Sequence, residues 1–393
     1  MTPVLVTHPG LQHSHQLALA LHERSLLQSF WSGVPVIADG EALPWWLPAS
    51  YRAKIRKVEI PRALRRHPAR FQLALRMSGS VSFAIPGSDM IHRVFHWFDH
   101  WAAQQIRQFR PKVVVAYENA AFHSFQAAKE VGARCVLDAA AFHHKTAARL
   151  LGTGDTPYTP EINRRKDEEI RLADLILTCS PLAAESYTAN GIAVDKIRPV
   201  MLGSEVPADV PAWEAHDGPP RFIFAGALSR LKSIDSIVSV FRRLHAEGVP
   251  FELEFVGGVA DSELLRAVLA TPGARYTPSV PQRGLYAKLA RADCLLLPSR
   301  FDSFGMVVAE AMACGTPAVV STNTGSKAMI EAYPGSGWVV EPEVEPLHAL
   351  LRQLALSPER LHAARAAAQR SGDAFSWASY RSRAGELFEE FVQ

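Results

Sequence analysis

The stretch that decides the fold runs from Pro298 to Ser321 and reads PSRFDSFGMVVAEAMACGTPAVVS. An apolar strand, Cys294–Leu297, precedes it and ends in a Pro-Ser turn. A short polar loop follows, and we predict a helix from Met306 to Gly315 and a second apolar strand at Pro317–Val320. A glycine loop between a strand and a helix favours anion binding, because free backbone N–H groups and the helix dipole point at the loop.

Two carboxylates flank this loop, Asp302 and Glu310, with Phe304 and Gly305 between them. A site for phosphate alone has no need of two negative groups. The arrangement fits a ligand that has phosphates in its middle and hydroxyl groups on both sides. A nucleotide sugar has this chemistry.

The overall composition is that of a soluble globular protein. The chain has 393 residues, of which 48% are hydrophobic and 21% charged, and this length favours two domains. The start, MTPVLVTHPG, has no basic signal-peptide region, and we expect no membrane-spanning segment. The four cysteines show no disulfide or metal-binding spacing, which favours a reducing, cytoplasmic location.

Apolar strands alternate with helical patterns in both halves of the chain, which predicts parallel sheets covered by helices on both faces. We predict a first domain at residues 1–204, a proline-rich linker at 205–220 and a second domain at 221–374. Within them, we expect a helix at Ser14–Leu27 and helical structure over Leu347–Gln369. A last helix is predicted at 375–393.

Residues 174–331 resemble the C-terminal core of retaining glycosyltransferases of family 4. The resemblance rests on the spacing of Asp302 and Glu310, on Phe304-Gly305, and on four shorter stretches. These are Glu310-Ala311-Met312-Ala313-Cys314-Gly315, the Ala173–Ser180 pattern, FAGALSRLKS at 224–233 and ARADCLLLPS at 290–299. It implies an α/β GT-B architecture, in which two Rossmann-like, doubly wound domains face each other across a crevice and helix 375–393 crosses back to the first.

The resemblance also implies roles in donor binding. Glu310 would accept hydrogen bonds from the ribose hydroxyls, and the backbone of Phe304, Gly305 and Met306 would bind the diphosphate and sugar. Asp302 would hold the transferred sugar. The family usually has glutamate there, and aspartate is shorter by roughly 1.5 Å, which points to a different sugar or a different placement of it.

Fixed cations would stabilise the departing diphosphate, since the chain has no Asp-x-Asp pair for a metal. Lys232 matches the family's lysine. The family's arginine is replaced by Ala227, and Arg230 on the same loop is a candidate substitute. No metal or other cofactor is expected.

The nucleobase would lie against the loop Thr277–Gln282, where backbone groups near Val280 would contact its edge. The family often has glycine where this chain has Pro278, which is equally well explained as turn punctuation. The sequence does not decide whether the donor nucleotide is UDP or GDP.

In the first domain, Gly10 lies in a strand-to-helix loop that resembles the family's glycine loop facing the diphosphate. His143 is the predicted active-site histidine, and His144 is its rival. His8, His13 and His15 cluster near the loop, but no further metal ligand accompanies them.

Residues 51–77 hold nine cations and one anion, which favours contact with an anionic membrane surface or acceptor, or else a solvated helix face. No nucleic-acid partner is expected. We therefore expect a retaining, metal-independent hexosyltransferase in the cytoplasm, acting on a glycan or lipid-linked acceptor in bacterial cell-surface polysaccharide synthesis. Peripheral contact with the inner face of the membrane is one interpretation of the basic stretch. The alternatives are an inactive nucleotide-sugar-binding protein and a GT-B nucleotide-sugar epimerase.

Overall fold

The computed structural model describes residues 3–38, 40–41, 55–68, 70–71, 74, 87–152 and 156–393. The chain divides into two compact units, and neither is one continuous segment. Unit 1 comprises Met1–Thr178, Ser186–Val200 and Tyr380–Gln393, and unit 2 comprises Cys179–Glu185 and Met201–Ser379. Each unit is built around its own parallel sheet, as the alternating sequence pattern predicts.

The main sheet of unit 1 has the order β5-β2-β1-β6-β7-β8-β9, and all of its pairings are parallel. Strands β3 and β4 pair separately. The strands are β1 (Val4–His8), β2 (Leu27–Ser32), β3 (Val36–Ile37), β4 (Arg56–Lys57), β5 (Arg65–Arg66), β6 (Val113–Tyr117), β7 (Arg134–Ala139), β8 (Leu175–Thr178) and β9 (Ile197–Pro199). The order reverses at β1, so β1 and β6 form the switch point where ligands bind in such sheets.

The helices along this part of the chain are α1 (Ser14–Glu23), α2 (Gly87–Phe109), α3 (Phe122–Glu130), α4 (His144–Leu151), α5 (Thr159–Leu172) and α6 (Pro181–Thr188). The predicted helix Ser14–Leu27 is too long. It ends at Glu23, because Ser25 is left-handed (φ +56°) and Leu27 already begins β2. The buried side chains of β2 gain more from the sheet than from another helical turn.

The sheet of unit 2 has the order β12-β11-β10-β13-β14-β15 and is also parallel. Its strands are β10 (Arg221–Ala225), β11 (Glu252–Val256), β12 (Ala274–Thr277), β13 (Cys294–Leu297), β14 (Ala318–Ser321) and β15 (Gly337–Val340). The order reverses at β10, which places the loops after β10 and β13 side by side at the carboxyl edge of the sheet.

The helices that cover this sheet are α7 (Ile234–Ala246), α8 (Ser262–Leu269), α9 (Gln282–Arg291), α10 (Met306–Ala313), α11 (Lys327–Ala332), α12 (Val344–Leu356) and α13 (Pro358–Ala374). The stretch Leu347–Gln369 is helical as predicted, except at Ser357, which separates α12 from α13. Helix α12 ends before Ser357, because Pro358 has no backbone N–H with which to continue the helix. Pro358 instead begins α13, a position where its missing N–H costs nothing.

The last helix, α14, spans Trp377–Val392, and its residues from Tyr380 onward belong to unit 1. Tyr380 and Phe388 are buried, and Arg381 donates to the Gln16 side chain of α1 at 2.9 Å. Among the described helices, none combines the length and the apolar character that crossing a bilayer requires.

The proline-rich segment 205–220 contains neither helix nor strand. Two of its side chains are anchored by the buried Asp293, to which Trp213 donates a hydrogen bond at 2.9 Å and which lies 2.9 Å from His216 Nε2. This segment is therefore held by side-chain contacts to the second unit.

Candidate functional site

The glycine loop between β13 and α10 depends on Gly305. Its φ is +86°, and a Cβ at this position would lie 2.8 Å from Leu297 Cδ2. The Phe304 carbonyl, one residue earlier, accepts from the N–H of Ser326 at 2.7 Å. The backbone thus turns sharply into α10. The N–H of Val308 in its first turn donates to the Gly305 carbonyl at 2.9 Å, and the N–H groups of Met306 and Val307 precede the regular helical hydrogen bonds.

Asp302 is held in place by its own backbone. Its N–H donates to Asn323 at 3.1 Å, and its carbonyl accepts from Gly325 at 2.9 Å. The next residue, Ser303, accepts at its carbonyl from Ser180 Oγ at 2.6 Å. The loop after β14 therefore supports the loop after β13, a contact that the sequence analysis did not anticipate, although Thr-Gly-Ser after a buried strand is a turn signal.

Lys232 and Asp302 form an ion pair, with Lys232 Nζ 2.5 Å from Asp302 Oδ2. Lys232 ends the short 3-10 helix Arg230–Lys232, whose N-cap Ser229 accepts from the Lys232 N–H. The two side chains are 23% and 14% exposed, so the pair is largely screened from water by protein yet open on one side. The structure thus brings together the lysine predicted to stabilise the departing diphosphate and the aspartate predicted to hold the transferred sugar.

Arg230 lies in a different environment from Lys232. Its guanidinium is 62% exposed and lies 3.7–3.9 Å from the carboxylates of Asp235, Asp261 and Glu263. The neighbouring Arg300 also pairs with Asp235, at 2.8 Å. The guanidinium of Arg230 therefore lies among acidic side chains at the starts of α7 and α8. Its role in donor binding stays a prediction.

Glu310 lies on the second turn of α10, and its Oε1 accepts from Gln282 Nε2 at 3.2 Å. Burial raises the pKa of Glu310, and the hydrogen bond from Gln282 partly opposes this. The same Gln282 nitrogen lies 3.1 Å from the hydroxyl of Tyr286. Gln282 gave no signal in the sequence, because a glutamine after a proline is an ordinary way to begin a helix.

The loop predicted to contact the nucleobase connects β12 to α9. Val280 is half-buried, whereas Pro278 is exposed. Beside this loop, the chain turns after β10 and β11 approach so closely that a Cβ on Gly257 would lie 1.9 Å from the Gly226 carbonyl oxygen. Glycine is required there, and it lets both turns stay tight at the edge of the sheet.

In unit 1, Gly10 lies at the carboxyl end of β1, and its N–H donates to His8 Nδ1 at 2.8 Å. Burial lowers the pKa of His8 to about 3, so this imidazole is neutral.

His13 Nε2 lies 3.0 Å from Asp138 Oδ1. Burial opposes the charged form of His13, but the Asp138 carboxylate outweighs it and raises the His13 pKa. Asp138, at the end of β7, therefore orients a histidine rather than standing alone.

His143 caps α4, and its Nδ1 accepts from the N–H of Lys145 at 3.3 Å. His144 stacks on it, and burial lowers the pKa of each imidazole to about 4. Possible ligand atoms of His143, His144 and Asp167 lie within 4.8 Å of one another. However, Lys145 Nζ lies 3.2 Å from Asp167 and already balances its charge, which disfavours a further cation.

The basic stretch 51–77 lies only partly within the described residues. Arg52, Lys54, Arg76 and the nearby Trp45 and Trp46 lie outside them. Of the others, Arg65 is buried and paired with Glu41, whereas Arg62, Arg66 and Arg70 are exposed. The Arg70 guanidinium lies 5.4 Å from the ring of Trp97, a side chain that is 44% exposed. Part of the stretch is thus a basic and aromatic surface, and Arg65 is structural.

Solved structures share this two-sheet architecture over nearly the whole chain. A sucrose-phosphate synthase from Thermosynechococcus elongatus aligns with a TM-score of 0.68, covering 100% of this chain and 99% of that one at 16% identity. Alr3699/HepE from Anabaena, solved in complex with UDP, aligns with a TM-score of 0.65, covering 99% and 100% at 14% identity. The protein has the GT-B fold.

Within this GT-B chain, residues 206–371 match the family model of glycosyl transferases group 1. The matched region contains Lys232, Asp302 and Glu310 and is less than half of the chain. A D-inositol 3-phosphate glycosyltransferase of Arthrobacter sp. (strain FB24) is 32% identical over 209 residues, covering 47% of this chain and 48% of that protein. The aligned part thus spans about half the length of this relative.

Proposed function

We propose that this protein is a retaining glycosyltransferase that transfers a sugar from a nucleoside-diphosphate donor, UDP or GDP, to a hydroxyl group of a glycan or lipid-linked acceptor. The observation that carries the proposal is the Lys232–Asp302 pair, set beside a glycine loop and a helix N-terminus. It lies in the part of the chain that matches group 1 glycosyl transferases.

Lys232 supplies the positive charge at the leaving diphosphate. A lysine ammonium has three N–H donors, and the contact with Asp302 uses one of them. The remaining donors are free to bind phosphate oxygens, while Asp302 restrains a side chain that is otherwise flexible. Fixed charge of this kind stabilises the transition state without reorganisation during the reaction. Since the chain has no Asp-x-Asp pair, this lysine takes the place that a metal has in many sugar transferases.

The donor spans the edge of the unit 2 sheet. Glu310 accepts hydrogen bonds from the ribose, and the N–H groups at Gly305 and Met306 bind the diphosphate. Asp302 binds a hydroxyl group of the sugar with Oδ1, the carboxylate oxygen that Lys232 does not contact and that also accepts the N–H of Phe304 at 3.4 Å. The roles of His143, which is neutral near pH 7 because burial lowers its pKa to about 4, and of the Gly10 loop stay predictions from the resemblance.

The first test is a thermal-shift panel with UDP, GDP, ADP and TDP, because a ligand that binds only the native state raises the unfolding temperature. We expect a shift with UDP or GDP. It is followed by a transfer assay with UDP- and GDP-sugars and a set of acceptors. Inositol 3-phosphate belongs in that set, because a relative is named for it. An unchanged unfolding temperature with all four nucleotides would contradict the proposal.

The same assays separate the alternatives. Binding without transfer or slow hydrolysis of the donor identifies an inactive binding protein. Conversion of the donor sugar without any acceptor identifies an epimerase. Retention is read from the anomeric configuration of the product by NMR.

A place at the inner face of a membrane rests on three exposed arginines, Arg62, Arg66 and Arg70. The guanidinium of Arg70 lies 5.4 Å from the ring of Trp97, which is 44% exposed. We expect the protein to float with vesicles of anionic lipid in a salt-sensitive manner and the Arg66→Ala/Arg70→Ala variant to float less. Equal flotation with neutral and anionic vesicles would contradict it.

A further inference from the structure

The side chain of Gln282 connects two parts of the proposed donor site. Gln282 is the first residue of α9 and directly follows the loop proposed to contact the nucleobase. Its Nε2 donates to Glu310 Oε1 at 3.2 Å and to the Tyr286 hydroxyl at 3.1 Å. A residue of the base loop region therefore touches the carboxylate proposed to bind ribose.

Within the described part of the chain, Gln282 is the side-chain hydrogen-bond partner of the Glu310 carboxylate. Its other partner, Tyr286, is 3% exposed and packed on the inner face of α9. Burial raises the pKa of the Tyr286 hydroxyl, which therefore stays a neutral phenol. Gln282 itself is exposed, and the contact with a buried, fixed phenol holds its amide in one position.

The torsion that rotates a glutamate carboxylate is soft, so an isolated Glu310 would sample many orientations. A hydrogen bond from Gln282 to Oε1 fixes that rotation and leaves Oε2 in a defined direction. A carboxylate recognises a ribose diol only when its oxygens and the hydroxyl groups are aligned. Hydrogen bonds to a charged group are also the strong ones, so the alignment has a measurable effect on affinity.

We propose that Gln282 is a positioning residue that holds the Glu310 carboxylate towards the ribose and so sets a preference for ribonucleotide over 2′-deoxyribonucleotide donors. The proposal rests on the proposed donor site. Gln282 acts through Glu310, so its loss affects recognition of the ribose more than binding of the diphosphate.

The test is isothermal titration calorimetry, which gives the dissociation constant of each nucleotide. The purified protein is titrated with UDP and 2′-deoxy-UDP and, in parallel, with GDP and 2′-deoxy-GDP. We expect the wild type to prefer the ribonucleotide by roughly tenfold, the scale of one hydrogen bond to a charged group. Gln282→Ala is expected to bind the ribonucleotide about tenfold more weakly and the deoxynucleotide nearly as well as the wild type. Gln282→Glu, which keeps the size but places a second carboxylate beside Glu310, should lose at least as much.

The matched control is Gln353→Ala, an exposed glutamine on α12, which should bind like the wild type. If Gln282→Ala weakens both nucleotides equally, or Gln282→Glu binds normally, then Gln282 has only a packing role and the inference is wrong. If the wild type binds no nucleotide at all, it is the proposed function that fails. Unfolding curves of each variant exclude loss of the fold as the cause.

Discussion

Lys232 Nζ lies 2.5 Å from Asp302 Oδ2, and this contact joins the loop after β10 to the loop after β13. The two strands are neighbours at the point where the order of the unit 2 sheet reverses. The positive and negative groups of the candidate site are thus each positioned by the other. A change to either residue therefore alters both the charge and the geometry of the site.

Replacing Lys232 by alanine should lower kcat by about 10²–10³-fold, the scale of losing one preorganised charge at the transition state. It should raise KM as well, because Asp302 then faces the donor phosphates without a counter-charge. Steady-state kinetics measures both. Lys129→Ala is the matched control, since Lys129 pairs with Asp174 at 2.7 Å in unit 1, outside the donor site. Unchanged turnover in Lys232→Ala would mean that the assignment is wrong.

Replacing Asp302 by glutamate gives the longer side chain found in the glycosyltransferases that the sequence resembles and moves the carboxylate by roughly 1.5 Å. We expect this variant to change the relative kcat/KM for UDP-glucose, UDP-galactose and UDP-N-acetylglucosamine by about tenfold, because sugar hydroxyl contacts shift. Competition assays with mixed donors measure the ratio directly. An unchanged ratio would show that Asp302 does not contact the sugar.

Glu310→Gln should make the free protein more stable and remove its nucleotide response. Burial raises the folded-state pKa of Glu310 above its unfolded value, so the ionised side chain lowers stability as pH rises through the range between the two values. At pH 7 the neutral glutamine removes this cost, and it also loses an acceptor for the ribose. Thermal unfolding with and without UDP measures both effects. Glu331→Gln, at an exposed position on α11, should change neither.

Gly305→Ala should destabilise the protein by about 2–4 kcal/mol, because it combines a left-handed backbone with a steric clash. Gly335→Ala separates these two effects. Gly335 has nearly the same φ, +85° against +86°, but nothing lies within 4 Å of its Cβ position. It should cost only about 1 kcal/mol. Urea unfolding gives both values, and equal losses would exclude a clash at Gly305.

His143→Ala should lower kcat/KM by about 10–10²-fold, and more than His144→Ala does. Burial holds the pKa of His143 at about 4, so the imidazole is neutral from pH 5.5 to 8. His143 therefore should not titrate near pH 6.5. The pH profiles of kcat/KM for the wild type and for His143→Ala should have the same shape between pH 5.5 and 8. A larger loss in His144→Ala would transfer the role to that residue.

Most strands of both units were predictable, because continuous runs such as Cys294–Leu297 are buried on both faces of a parallel sheet. The positions of helix ends were harder to predict from the sequence. Whether α1 stops at Glu23 is decided by the pairing of β2 with β1, a contact that has no local sequence signal. No helix was predicted at Gly87–Phe109, although its apolar residues recur with the period of an amphipathic helix.

For the site, residues within one loop were predictable, whereas contacts between distant segments were not. Asp302, Gly305 and Glu310 follow from a single spacing pattern. The partners of the two carboxylates are Lys232 and Gln282, which lie 70 and 28 positions away. Lys232 was found through resemblance. Gln282 could be identified only from the fold.

The discontinuity of unit 1 has a consequence for synthesis on the ribosome. Its core includes Tyr380 and Phe388, which are made almost 200 residues after β9. Unit 2 needs nothing beyond Ser379. The unit that is translated second can therefore complete its core first, while the first must wait with the surface that α14 covers still exposed. Completion of the first unit thus depends on the last segment to be translated, and until then the nascent first unit needs protection from aggregation.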